Sequence, residues 1–219
     1  MADELALLQE EFTVTANGNF EGKNVLHQAG EVKGDLRSSR GVDIPVASGW
    51  LEQAMRVQEE FDQFLWSVEL GGYYNTAKDA YQETIVRERT YADNATLSAN
   101  GVMIANLVCF ALLTEDITYL DWAFQALQAF SSVMKDYPQA CPSLFIALDL
   151  YFHCTLVRTS WEQLDFLITQ YLPASIFTLE TELPAASVGL VCQGLSCLSP
   201  AQSLEELQQQ IQQSQIRTM

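Results

Sequence analysis

Apolar residues return along this chain at more than one period, and the changes of period mark its parts. From residue 51 onward, Leu51, Met55, Gln58, Phe61 and Leu65 recur at steps of three and four, with Phe64 beside them. That spacing predicts a helix with one apolar face, starting near Ser48 or Gly49. Gly71 and Gly72 break it in "ELGGYYNT". Tyr73 and Tyr74, then Thr84, Ile85 and Val86, read as two strands of a β-hairpin with "AKDAYQ" near its turn. A helix follows over residues 98–113, with Ser98 as its N-cap. Val102, Met103, Ile104, Leu107, Val108, Phe110, Leu112 and Leu113 make it apolar nearly all round, so neighbours must cover most of its surface.

After the short turn "TED", residues 116–135 carry Ile117, Leu120, Phe124, Leu127, Phe130 and Met134 along one face. Two helices so closely joined pack as an antiparallel hairpin. Pro142, a favoured first helical position, opens a third helix through "SLFIALDLYFH". Beyond His153 the period shortens. "CTLVRT", "SIFTLE" and "ASVGLVC" read as strands, residues 160–171 as a helix, and "SPAQSLEELQQQIQQSQ" as a closing helix. Before all this, residues 3–12 form a short amphipathic stretch with Leu5, Leu8 and Phe12, and residues 28–46 read as a linker or irregular loop. The pattern predicts a mainly α chain with a small α+β part. Residues 1–49 form an N-terminal segment and linker, 50–153 a region of helical hairpins with a β-hairpin insertion, and 154–219 a small α/β unit.

Composition narrows the function classes. The 219 residues are 48% hydrophobic and 18% charged, ample for a packed core. The formal charge of −17 argues against nucleic acid, because a phosphate backbone needs a basic patch and only Lys135 lies between Arg89 and Arg158. An anionic membrane surface is disfavoured on the same ground, and the longest apolar run, "VMIANLVCFALLT", is too short to span a bilayer. "MADELALLQEEF" is acidic where a secretory leader is basic, so a cytoplasmic location is expected. The five cysteines include no CxxC pair, and reduced thiols are expected, with Cys192 and Cys197 free and metal-free. His27 and His153 are too few for a metal centre, so neither a metal nor a cofactor is expected.

The polar stretch "RERTYADNATLSANG" at 87–101 stands against the least polar helix. It supplies the candidate ligand-binding residues: Arg87, Arg89, Asp93, Asn94, Ser98 and Asn100. Guanidinium groups, amides and backbone N–H groups at a helix N-terminus suit sugar hydroxyls or a carboxylate. The same residues also suit a structural task, with Asp93, Asn94 and Ser98 making turns and a cap, and Asn100 bonding backbone. Asp149 reads as a solvent-facing helix residue, and Trp50, Phe61, Phe64, Trp66, Trp122 and Phe124 as core. No catalytic residue is assigned.

Several ordered motifs also carry a resemblance. "NFEGKNVLH" at 19–27, "GGYYNTAKD" at 71–79, "IVRERTYADNATLSANG" at 85–101, "YPQACPSLFIALD" at 137–149 and "VCQGLSC" near the C-terminus resemble the YyaL-type and spermatogenesis-associated thioredoxin-containing proteins. Where that family typically shows Pro-Ser-Gly-Asn, this chain has Leu97, Ser98, Ala99 and Asn100. The resemblance implies a thioredoxin-like domain followed by a six-hairpin α/α toroid, like N-acylglucosamine 2-epimerases and six-hairpin glycosidases, and a carbohydrate-related role. Only the C-terminal part of that plan is matched, without the thioredoxin domain, and four substantial helices stand where a full ring is expected. The expectation is a partial toroid: a remnant or fragment of a carbohydrate-binding or carbohydrate-processing protein. The alternatives are a non-catalytic protein-interaction module and an incomplete product. A sugar-like molecule, or self-association through uncovered helix faces, is the expected partnership.

Overall fold

The computed structural model describes residues 45–80, 86–184, 186–194 and 196–216. The amphipathic stretch at 3–12, the loop over 28–44, His27, Thr84 and Ile85 lie outside the described residues. Four helices form the first body: α1 (Pro45–Phe64), α2 (Ala99–Thr114), α3 (Thr118–Asp136) and α4 (Pro142–His153). A 3-10 turn over Pro138–Ala140 joins the last two. A small mixed unit follows, with β1 (Thr155–Thr159), α5 (Trp161–Leu167), β2 (Ser175–Leu179), β3 (Gly189–Gln193), β4 (Ser196–Cys197) and α6 (Leu204–Ser214). The chain is therefore mainly helical with a small α+β part.

The local signals act as their chemistry dictates. Ser98 is extended and its hydroxyl accepts from the Gly101 N–H, the cap expected before α2. Pro142 stands at the first position of α4, and Pro45 starts α1 a few residues before the apolar period becomes visible. Ser203 caps α6 by accepting from Glu206 N–H, while the Glu206 carboxylate reaches back to Gln202 N–H. At the other end of α2, Glu115 takes a left-handed conformation (φ 60°) and ends the helix.

Packing follows from α2. Its residues Met103, Ile104, Leu107, Val108, Phe110 and Leu112 are all buried, covered by α3 on one side and α4 on another. α3 returns antiparallel to α2, as the short turn requires. α4 runs parallel to α2: Ser98 and Ser143 meet at their N-terminal ends, 2.9 Å apart, and the Cys109 thiol faces Cys154 beyond the C-terminal end of α4. Phe61, Leu65 and Tyr73 close the same core from the α1 side.

The sheet order is β2-β1-β3-β4, with β1 and β2 parallel and the other pairs antiparallel. Alternation along β1 and β3 divides the buried side chains between two layers. Leu156 and Cys192 join the helical core, while Val157 and Val191 pack with Leu167, Leu207 and Ile211 beneath α5 and α6. Arg158 also ties the two parts, pairing with Glu115 at the end of α2 and with Glu180 at 3.0 Å.

Two expectations are corrected, for Phe124 and for the Cys192–Cys197 pair. Thr84 and Ile85, of the second strand of the expected β-hairpin, lie outside the described residues; among those described, Tyr73 makes an isolated antiparallel bridge to Trp66, and Asn75 bonds Glu88 and Thr90. Left-handed Gly71 and Gly72 turn the chain back on α1 at once, which brings Tyr73 to Trp66. Phe124 was expected in the core and is 48% exposed, on the outer side of α3. Cys192 and Cys197 are not free thiols but a disulfide, because the β3–β4 register places them directly opposite each other. A closed ring of hairpins is not formed by the described residues; four helices give one hairpin, a parallel neighbour and α1.

Candidate functional site

The polar segment entering α2 is built around two side chains. Asp93 lies between the N-termini of α2 and α4. Its Oδ1 accepts from Ser98 N–H at 2.8 Å and from the Ser143 hydroxyl at 2.5 Å, and its Oδ2 accepts from Ser143 N–H at 2.6 Å. Asp93 N–H donates to Ala140 O, fixing the loop to the turn before α4. A helix N-terminus attracts an anion through its unpaired N–H groups and its dipole. Here two such ends share one carboxylate supplied by the protein itself. Gly101 permits the approach, since a Cβ there would lie 2.1 Å from Ser143 Oγ.

Asn100 is the second. It is fully buried and behaves as a backbone clasp. Its Oδ1 accepts from Tyr73 N–H at 2.6 Å, and its Nδ2 donates to Tyr73 O at 2.9 Å and Thr90 O at 2.8 Å. The first turn of α2 thus holds two loops at once. Tyr73 is thereby fixed with its ring inside the core.

The arginines point back into the fold. Arg87 donates to Thr76 O and Phe64 O, and its guanidinium stands 4.0 Å from the Tyr74 ring centre. Arg89 donates to the Gly71 and Leu70 carbonyls and lies 5.5 Å from the Phe130 ring centre. Asn94 is exposed, its N–H closing a turn onto Thr96 O. The structure brings Asp93, Ser98 and Ser143 together at the two helix ends, and Arg87 and Arg89 together around Tyr74. Asn100 faces inward from the same end of α2.

A further polar cluster was not singled out from the sequence. Gln58 Nε2 donates to Asp62 Oδ1 at 2.7 Å and contacts the Tyr73 hydroxyl at 2.8 Å, which donates to Asp62 Oδ1 at 2.8 Å. Burial pushes the Asp62 carboxyl up to about 6, against the pull of those two hydrogen bonds, and Glu59 adds to the rise. Burial and the facing Asp62 carboxylate push the Tyr73 hydroxyl well above its usual range. Trp66 packs edge-on to Tyr73 and stacks on Trp122, with centroids 5.4 Å apart. The visible signal was Gln58, an amide on an otherwise apolar helical face. Elsewhere Asp149 pairs with His153 at 2.9 Å on α4. Among the described residues no group of three or more His, Cys, Asp or Glu could hold a metal ion.

Fold and site together define a class: a helical-hairpin body whose parallel helices are bound at their N-terminal ends by one polar connection, with a small mixed sheet behind. No protein-family model matches the chain. Curated relatives do. The chain is 34% identical over 101 residues to spermatogenesis-associated protein 20 of Rattus norvegicus, covering 46% of this chain and 13% of that protein. It is 33% identical to the Homo sapiens protein over the same extent, and 32% identical to the Mus musculus protein over 97 residues, 44% of this chain and 12% of that one. The chain therefore spans about an eighth of the length of these relatives.

Proposed function

We propose that this chain contributes a set of neighbouring hairpins to a six-hairpin, glycosidase- or epimerase-like protein, and that the end carrying residues 86–100 faces a sugar-like ligand. The parallel arrangement of α2 and α4 carries this reading. An α/α toroid is a ring of hairpins whose inner helices run parallel, and an inner helix is apolar nearly all round because neighbours cover it. α2 has that character, and both α3 and α4 pack against it. Ligand groups in such a ring come from the connections at one helix end. On this reading Asp93, Ser98 and Asn100 form the rigid floor of the site, while exposed Asn94 and the half-buried Arg87 and Arg89 form its rim. Calorimetric titration with a panel of mono- and disaccharides tests it. Binding by the unaltered chain, weakened in Asn94→Ala with the melting temperature kept, is expected. No binding to any sugar by the unaltered chain removes the ligand.

A second reading, a non-catalytic module that associates with another copy of itself, is favoured by one observation. Phe124 and Phe152, 48% and 66% exposed, flank Tyr151 in a continuous aromatic row on α3 and α4.

A further inference from the structure

We propose that the Cys192–Cys197 disulfide is a reversible redox clasp, opened by a dithiol, that controls the order of the free edge of the sheet. The bridge joins β3, an inner strand of the sheet, to β4, a two-residue edge strand. The two ends differ. Cys192 is 2% exposed and sits opposite Leu156 in the core, whereas Cys197 is exposed. An incoming thiolate therefore has access to one sulfur, and the other is its leaving group.

Among the described residues, the chain beyond Cys197 runs along β3 by backbone hydrogen bonds from Leu198 N–H to Val191 O, Val188 N–H to Ala201 O, and Ala201 N–H to Gly189 O, and one side chain of α6 reaches it, Gln210 Nε2 donating to Ser199 O at 3.1 Å. Ser196, Leu198 and Ser199 are exposed, and apolar burial resumes only at Ala201. From there α6 is anchored separately by Leu207 and Ile211, both fully buried. Opening the bridge thus loosens residues 196–200, leaving them the Gln210 contact and the backbone bonds, without removing the core of α6, and it uncovers hydrogen-bonding groups along the edge of β3.

The exchange balances as follows. A thiolate of the dithiol attacks Cys197 Sγ, the Cys192–Cys197 bond breaks, and Cys192 leaves as a thiolate that takes up a proton. The second thiol of the reductant then attacks its own sulfur in the mixed disulfide. Cys197 is released as a thiolate and protonated, and the reductant ends as a disulfide. Two electrons pass to the cysteine pair. Neutral Cys192 suits its site, since a buried thiol packs as a small hydrophobe. The remaining cysteines do not compete. Cys141 and Cys154 are buried, and burial pushes the partly buried Cys109 thiol up to about 12, away from its reactive form.

Hydrogen exchange read by mass spectrometry, with thiol counting on the same samples, tests the clasp. The untreated folded chain should carry no rapidly labelled thiol. Treatment with dithiothreitol should release two, in peptides containing Cys192 and Cys197. Peptides over 194–203 should then exchange roughly tenfold faster or more, while those over 99–153 stay unchanged and reoxidation restores protection. Cys197→Ser, which alters an exposed position, should reproduce the reduced pattern without reductant. The proposal is overturned if the pair is unbridged in the untreated chain, if dithiothreitol does not open it in the folded state, if the 194–203 peptides do not respond, or if reduction unfolds the whole chain.

Discussion

Asn100 shows how much of this fold rests on single polar side chains. It saturates one buried N–H and two carbonyls from two separate loops. Removing it leaves all three unpaired, and each unsatisfied buried group costs about 1–3 kcal/mol. Asn100→Ala is therefore expected to lower the unfolding free energy by about 3 kcal/mol or more in urea titration, and by less where water enters the gap and pairs one of the groups. The sequence left open that Asn100 bonds backbone, and the buried clasp does so. A loss below about 1 kcal/mol would show that the clasp is not holding the loops. Asp62 gives a second residue-scale prediction. Its folded-state value of about 6 lies above the ordinary 3.8, so the folded chain binds the proton more tightly. The stability it contributes is complete below 3.8 and is lost as pH rises to 6. Glu59 on the same helix, Tyr73 from the loop and Tyr119 from α3 are the titratable groups facing it. Asp62→Asn keeps the acceptor for Tyr73 and Gln58 and cannot ionise. The variant should gain about 1–2 kcal/mol relative to the unaltered chain between pH 4 and pH 7, after allowance for solvent screening. Paired urea titrations across that range measure it, and a constant difference would refute the assignment.

At the scale of elements, the decisive contact is the crossing of α2 and α4 at their first turns. Glycine inside a helix is ordinarily a weakness, and its replacement by alanine stabilises by about 1 kcal/mol. At Gly101 the sign reverses, because the added Cβ would meet Ser143 Oγ, Cβ and backbone C within 3 Å. Such overpacking costs about 1–3 kcal/mol and pushes the two N-termini off Asp93. Gly101→Ala should be destabilising, and Ser143→Gly in the same chain should recover part of the loss. A double-mutant cycle in urea reads this coupling, and additive effects would place the clash elsewhere. These contacts also explain what could be read from sequence. Ser98, Pro142 and the turn after Thr114 act within a few residues, so the starts of α2 and α4 and the α2–α3 hairpin were legible. Asp93 and Ser143 are 50 residues apart, and no local period reports that one carboxylate caps two helices. β4 has two residues and hence no period. Its pairing, and with it the disulfide, depends on a register that spacing alone does not fix. The candidate residues at 87–100 divide between the helix ends, where Asp93 and Ser98 meet, and the Tyr74 ring, where Arg87 and Arg89 meet. Their inward hydrogen bonding could not be seen until Tyr73, Thr76 and Gly71 were placed beside them.

For the whole molecule, the question is what the outer side of the helical body meets. A helical body with several covered faces can still leave one open, and here α3 and α4 leave an aromatic row. Phe124 and Tyr151 lie nearly parallel with centroids 6.1 Å apart, and Phe152 continues the row edge-on at 5.3 Å. Ile117 at the start of α3 is also half exposed. Scattered apolar residues on a surface need no explanation, but contiguous aromatics offer buried area to a second copy. Against association stands the charge of −17, which repels copies over a Debye length of about 10 Å at 0.1 M salt and about 3 Å at 1 M. Attraction through the row is short-ranged and strengthens slightly in salt, whereas the repulsion is screened. The chain should therefore form small soluble assemblies at low salt and larger ones as salt rises. Light scattering coupled to size exclusion at the two salt levels measures this. Phe152→Asp together with Phe124→Asp should return the protein to monomer at both, since charge on the row removes the apolar contact and adds repulsion. A chain that stays monomeric throughout without these changes would mean that the aromatic row is only surface, and would leave the hairpins as a self-sufficient fold.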